Sequence, residues 1–267
     1  MKTVALIGAG SLGHIFIGHF NEVLGGSYQL TGVMARSVEH SRQLAEEYGC
    51  RYYESLEELL KDQPDYVVEL AGRDAVRLYA EKILTHKSSL VVASVGAMAD
   101  ETFSRKLEET AKENEVKVYL TSGAIGGFDL MRTLVAQKYI EAEITTTKAP
   151  GSLNGAPYLA GRLLSETEEE TVFGGNAEDA IKGFPKNVNV AVATGIATCG
   201  VKETKVTIRS NPKTMKNSHF IHLKGENTEI RIQVETAPDK NNPKSSVLTA
   251  WSVLALLKNL ESPIQFF

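Results

Sequence analysis

The chain has 267 residues, 42% hydrophobic and 23% charged, the make-up of a globular protein with length for about two domains. Its 29 Lys and Arg against 33 Asp and Glu leave a formal charge of −4, which argues against the basic surface that general nucleic-acid binding requires. Cys50 and Cys199 are too few and too far apart for a disulfide framework or a structural zinc site, and no apolar run is long enough to span a bilayer, so a cytoplasmic protein with no membrane partner is expected.

Val4 to Ile7 is a short apolar run that stops at a glycine turn, which reads as a buried strand and not as a signal peptide. A helix is predicted from about Leu12 to Leu24, a strand over 28–35, a helix over 38–48, a weak strand over 51–53 and a short helix over 56–60. Then come a strand over 66–70, a helix over 74–84, a strand over 90–95, a helix over 101–114 and a strand over 116–120. Such alternation needs crossover helices, hence a Rossmann-type parallel sheet covered on both faces.

The first turn of that series is Gly8-Ala9-Gly10-Ser11-Leu12-Gly13, a G-x-G-x-x-G between a strand and a helix. In this setting Gly8 permits the tight turn, Gly10 lets the backbone approach a pyrophosphate, and Gly13 lets helix and strand pack closely. The helix start at Ser11 and Leu12 adds free N–H groups and a positive dipole end. An NAD-selective site carries Asp or Glu at the end of the second strand; here the chain reads Ala35-Arg36-Ser37. Arg36 can pair with a 2′-phosphate and Ser37 can donate to it, which favours NADP and leaves NAD open. The alternative is that Arg36 stacks on adenine or caps the helix. Ala71 and Ser94 follow the fourth and fifth strands, at the carboxyl edge where ribose and nicotinamide bind.

After Leu120 the pattern changes. A second glycine cluster, Ser122-Gly123-Ala124-Ile125-Gly126-Gly127, precedes a predicted helix over 128–139. Strands are expected at 144–147, 206–208, 220–223 and 229–234, and helices at 177–182 and 188–197. This half reads as an α+β domain with antiparallel strands and one covered face. A last helix over 246–260 is expected to return to the first domain. The expected division is a dinucleotide-binding domain over 1–120, joined by the C-terminal helix at 245–267, and a catalytic and dimerisation domain over 121–244.

Four later segments carry a resemblance: Ser122 to Gly127 followed by Asp129; Phe184-Pro185-Lys186-Asn187-Val188-Asn189-Val190-Ala191; Asn217-Ser218-His219; and Asn242-Pro243-Lys244-Ser245-Ser246-Val247-Leu248-Thr249-Ala250. With Ala71 to Leu84 and Ser94 to Asp100 they resemble, in order and over the whole length, the L-aspartate dehydrogenase family. The resemblance implies nicotinamide-dependent oxidation of L-aspartate to iminoaspartate, which hydrolyses to oxaloacetate and ammonia or passes on towards NAD biosynthesis. It puts the catalytic histidine at His219 and second-domain cofactor contacts at the Ala124 amide and Asn189. The chain departs from the usual pattern at Ser245-Ser246, where Thr-Ser is common, and in its non-acidic second strand end.

Histidine suits the chemistry, since its ordinary pKa near neutrality lets one group handle an amine proton and activate a water. Strand alternation alone would make His219 a core residue, sharing a face with Ile221 and Leu223. A dicarboxylic amino acid needs several donors or cations. The candidates are Ser122, Lys148, Asn187, Lys244, Ser245 and Ser246, with Asn187 able instead to orient His219 or the backbone. No His/Cys/Asp/Glu cluster has metal-ligand spacing, so no metal is expected. Two other readings stay open: a related dehydrogenase acting on another amino or imino acid, and a non-catalytic nicotinamide-nucleotide sensor. A homodimer is expected by analogy.

Overall fold

The computed structural model describes residues 1–137, 140–237 and 246–265. They divide into two compact units, Met1–Thr121 with Thr249–Phe267, and Ser122–Leu248. Among the described residues no helix is long and apolar enough to cross a membrane.

The first unit alternates β1 (Lys2–Ile7), α1 (Ser11–Leu24), β2 (Tyr28–Met34), α2 (Val38–Tyr48), β3 (Arg51–Tyr53), α3 (Leu56–Lys61), β4 (Tyr66–Glu69), α4 (Arg73–Thr85), β5 (Ser89–Val92), α5 (Glu101–Glu113) and β6 (Val118–Leu120). The strands form one parallel sheet in the order β3-β2-β1-β4-β5-β6. All six strands therefore end on the same edge. The central strands are apolar because helices cover both faces, and Val4, Ala5 and Leu6 are wholly buried. One face packs Phe16, Phe20 and Leu44 together with Ala250, Val253, Leu254 and Leu257; the other packs Leu59, Val76, Ile83 and Leu107. The expected fifth strand is shorter than its apolar run, because Ser94 turns the chain into a 3-10 helix over Val95–Ala99.

The second unit contains α6 (Phe128–Val135), β7 (Ile140–Lys148), α7 (Pro150–Leu153), β8 (Glu170–Asn176), α8 (Ala177–Gly183), α9 (Asn189–Ala197), β9 (Lys205–Ser210), β10 (Asn217–Gly225) and β11 (Glu229–Thr236). Its sheet runs β11-β10-β7-β9-β8. The expectation of antiparallel strands holds for three of the four pairings and fails for β7 and β9, which are parallel. A long connection through α7, β8, α8 and α9 gives the chain the length that a parallel return needs. Helix α9 is apolar all round, with Val190 to Gly195 buried, so it is a core element of this unit. The last helix, α10 (Leu248–Leu260), belongs from Thr249 onward to the first unit, where the Tyr28 hydroxyl donates to the Leu257 carbonyl at 2.8 Å.

Candidate active site

The turn after β1 fits a dinucleotide on steric grounds. Gly8 has φ of 129°, and a Cβ there would stand 2.6 Å from the Leu70 carbonyl group. A Cβ on Gly13 would overlap the Gly8 carbonyl oxygen, so helix and strand meet only because that residue is glycine. A Cβ on Gly10, by contrast, would meet nothing within 4 Å. Gly10 is the N-cap of α1, makes no side-chain cap, and is followed by no acid in the first turn. The N–H groups at Ser11, Leu12 and Gly13 thus begin a helix with a positive end and open space beside it. Those features suit a pyrophosphate.

Arg36 is exposed just past β2. Ser37 caps α2, its Oγ accepting from the His40 N–H at 3.4 Å. Further along the same sheet edge lies a residue that sequence reasoning missed. Glu69, the last residue of β4, is 2% exposed. Its Oε1 accepts from the N–H groups of Ala71 at 2.7 Å and Gly72 at 2.6 Å, and from the Ser94 hydroxyl at 2.8 Å. Its Oε2 accepts from the Ser94 N–H at 2.9 Å. Burial pushes this carboxyl up from its ordinary value, against the pull of the four donors. One carboxylate thus ties the loop after β4 to the loop after β5. The signal in the sequence was an acid at the end of the apolar run Tyr66-Val67-Val68-Glu69. The Ser94 hydroxyl proton is committed to Glu69.

In the second unit, His219 lies on β10 and is 3% exposed. Its register partner on β7 is Thr146, whose Oγ1 is 3.0 Å from Nδ1. That contact fixes the ring and leaves Nε2 as the nitrogen for other work. Lys148, two residues beyond Thr146 on the same face, is also 3% exposed. Burial lowers Lys148 to about 8. Burial, then the nearby Lys148 charge, lowers His219 to about 3. The imidazole is therefore neutral at neutral pH. His222 sits on the opposite face, with Nε2 2.6 Å from Glu229.

The other candidates separate. Ala124 is buried, and Asn189 opens α9. Ser122 uses its carbonyl to accept from the Ile125 N–H at 3.2 Å. Asn187 is buried and donates through Nδ2 to the Ser152 carbonyl at 2.8 Å, a backbone-holding role. The Ser246 Oγ accepts from the Leu248 N–H at 3.2 Å and donates to Thr236 Oγ1 at 3.1 Å. Lys244 and Ser245 lie outside the described residues. Among the described residues no group of three His, Cys, Asp or Glu is placed to hold a metal ion.

The parallel sheet with its phosphate turn is an NAD(P)-binding domain, and the class of protein is a nicotinamide-dependent oxidoreductase. Residues 8–121 match the family model for the homoserine dehydrogenase NAD-binding domain, and residues 129–260 match that for the aspartate dehydrogenase C-terminal domain. The L-aspartate dehydrogenase of Methanosarcina barkeri is 39% identical over 214 residues, 79% of each chain. That of Methanocaldococcus jannaschii is 32% identical over 269 residues, 99% of each chain. Among solved structures, aspartate dehydrogenase from Thermotoga maritima superposes with a TM-score of 0.74 at 27% identity, covering 100% of each chain. The chain belongs to the L-aspartate dehydrogenase family.

Proposed function

We propose that this chain oxidises L-aspartate to iminoaspartate with NAD(P), and that His219 is its proton-handling residue. The observation that carries the reading is the neutral, buried imidazole braced by Thr146 and set beside Lys148. An amine gives up hydride from Cα only once its nitrogen carries a free electron pair. Neutral His219 takes the proton that the substrate ammonium loses. The nicotinamide, when bound, supplies the hydride acceptor. Water then adds to the iminium carbon with His219 returning and removing protons, ammonia leaves, and oxaloacetate remains. A substrate carboxylate beside Lys148 offsets the charge that helps depress His219, so the base strengthens when the substrate is in place.

The cofactor's pyrophosphate would lie on Gly8, Gly10, Ser11, Leu12 and Gly13, with Ala71 and Ser94 towards the nicotinamide ribose, and with the Ala124 amide and Asn189 as second-unit contacts. The acid-free end of β2 and the exposed Arg36 support NADP over NAD. Lys148 is the carboxylate ligand, with Ser122, Lys244, Ser245 and Ser246 as further donors and Asn187 acting through the Ser152 backbone. A cytoplasmic homodimer joined through residues 121–244, supplying iminoaspartate to NAD biosynthesis, completes the reading by analogy with dehydrogenases of this size.

The test is the ultraviolet absorbance of reduced nicotinamide on mixing the protein with NAD or NADP and a panel of amino acids. Turnover of L-aspartate above all others is expected. Turnover of a different amino acid alone would transfer the site to that substrate. Cofactor binding with no turnover of any amino acid would make the chain a nucleotide sensor.

A further inference from the structure

The loop after β4 is fixed more firmly than a strand-to-helix connection requires. Gly72 has φ of 121°, in the region that favours glycine, and its N–H and that of Ala71 both donate to the buried Glu69 carboxylate. Strand β4 lies beside β1, and the Leu70 N–H donates to the Ile7 carbonyl at 2.8 Å. The Leu70 carbonyl is the group that a Cβ on Gly8 would strike, so this loop is packed against the first glycine of the phosphate turn. Arg73 follows Leu70 by three residues, at most about 11 Å of chain.

Arg73 is the first residue of α4 and is half-buried. The local electrostatics oppose a cation there. A helix start is the positive end of the dipole, where anions are favoured. Arg77 adds a like charge one turn on, a spacing that destabilises a helix. Burial holds the Arg73 guanidinium below its ordinary value, with Asp74 opposing that shift and Arg77 adding to it. Arg77 itself is compensated, since it pairs with Asp100 at 3.4 Å and lies over the Phe103 ring. The Arg73 guanidinium has no such compensation: among the described residues it makes no hydrogen bond and no ion pair.

The phosphate turn has the complementary deficit. A pyrophosphate brings two negative charges, to which α1 offers N–H groups and a dipole. From Gly8 to Leu24 there is no Lys or Arg, and the His14 imidazole faces Glu47 at 3.5 Å. Arg36 lies past β2, which flanks β1 on the side away from β4, and that is the end where a 2′-phosphate belongs.

We propose that Arg73 is a ligand of the cofactor's pyrophosphate, from the β4 side of the glycine turn, and that it serves NAD and NADP alike. The assignment adds a side chain outside the glycine motif, and it rests on the NAD(P)-binding fold and not on the choice of substrate. It also gives the Glu69 brace a purpose. The two bonds from Ala71 and Gly72 fix the backbone immediately before Arg73. A cation that costs the free protein stability is retained because a bound anion repays it.

The experiment compares the full chain with its Arg73→Gln variant in binding NADH, NADPH and ADP-ribose, which keeps the pyrophosphate and lacks the nicotinamide ring. The variant should weaken all three by a common factor of about tenfold, and added salt should narrow that gap. Without cofactor, its urea midpoint should equal or exceed that of the wild type, because a cation has left a helix N-terminus. Loss confined to NADPH would move Arg73 to the 2′-phosphate, and loss that spares ADP-ribose would move it to the nicotinamide end. A common loss that salt leaves unchanged would mean stacking on adenine. Each of these overturns the proposal, as does unchanged affinity for all three ligands. A variant that unfolds, or is less stable without cofactor, would make Arg73 a structural residue and overturn it too.

Discussion

His219 sits where a proton acceptor is wanted and a standing charge is not. Ile221, next on the same face of β10, is fully buried and suits a neutral ring, and Thr146 orients it through Nδ1. Replacing it by alanine should lower turnover by about two to four orders of magnitude, the usual scale for a general acid–base residue, with cofactor affinity unchanged. Steady-state kinetics beside a cofactor titration separates the two effects. Arg36 has a different task. It is exposed, and the Ser37 hydroxyl that follows is used to cap α2. Arg36→Ala should weaken NADP by about tenfold while moving NAD by less than about threefold, read by fluorescence titration of each reduced form. Equal loss of both would remove the 2′-phosphate role.

Two loops depend on one carboxylate at the scale of elements. In Glu69→Gln, an amide NH2 would replace one oxygen and face backbone N–H donors from the β4 or β5 loop. Cofactor dissociation should rise about tenfold with a smaller change in kcat. A folded variant with unchanged cofactor affinity would reduce Glu69 to an internal brace. The parallel sheet is legible in the sequence because strands buried on both faces become continuous apolar runs such as Val4 to Ile7. The second sheet is legible only in part. Glu141, Glu143, Thr145 and Thr147 face away from the core, so the full length of β7 is hidden in alternation. β8 carries Gly174-Gly175 and a run of acids before it, which reads as a loop, yet it pairs with β9 and buries Phe173. His219 stood out through a motif. Thr146 did not, because a cross-strand partner is a product of register that no local spacing records.

Across the whole molecule, buried titratable groups couple folding to pH. His219 falls from an ordinary 6.5 to about 3 in the folded chain. Between those values the unfolded chain takes up a proton that the folded chain refuses, so stability is lost as pH falls through that window, by about 1.4 kcal/mol per pH unit. Lys148, lowered from 10.5 to about 8, acts with the same sign at the alkaline end, where raising the pH through that interval favours folding. Urea midpoints at pH 7 and pH 5 should therefore differ more in the wild type than in His219→Gln. A variant with the wild-type acid sensitivity would locate that sensitivity in other groups.

The first unit is built from both ends of the chain, with the whole of the second unit, Ser122–Leu248, inserted between. Its α10 side chains Ala250, Val253, Leu254 and Leu257 are all fully buried in the cluster that holds Phe16 and Phe20. During synthesis on the ribosome, the half that emerges first cannot close that core until residues beyond 248 have been made. The inserted unit has no such debt to later sequence. The aromatic face of α1, with Phe16 and Phe20, therefore stays without its α10 cover until residues beyond 248 have been made.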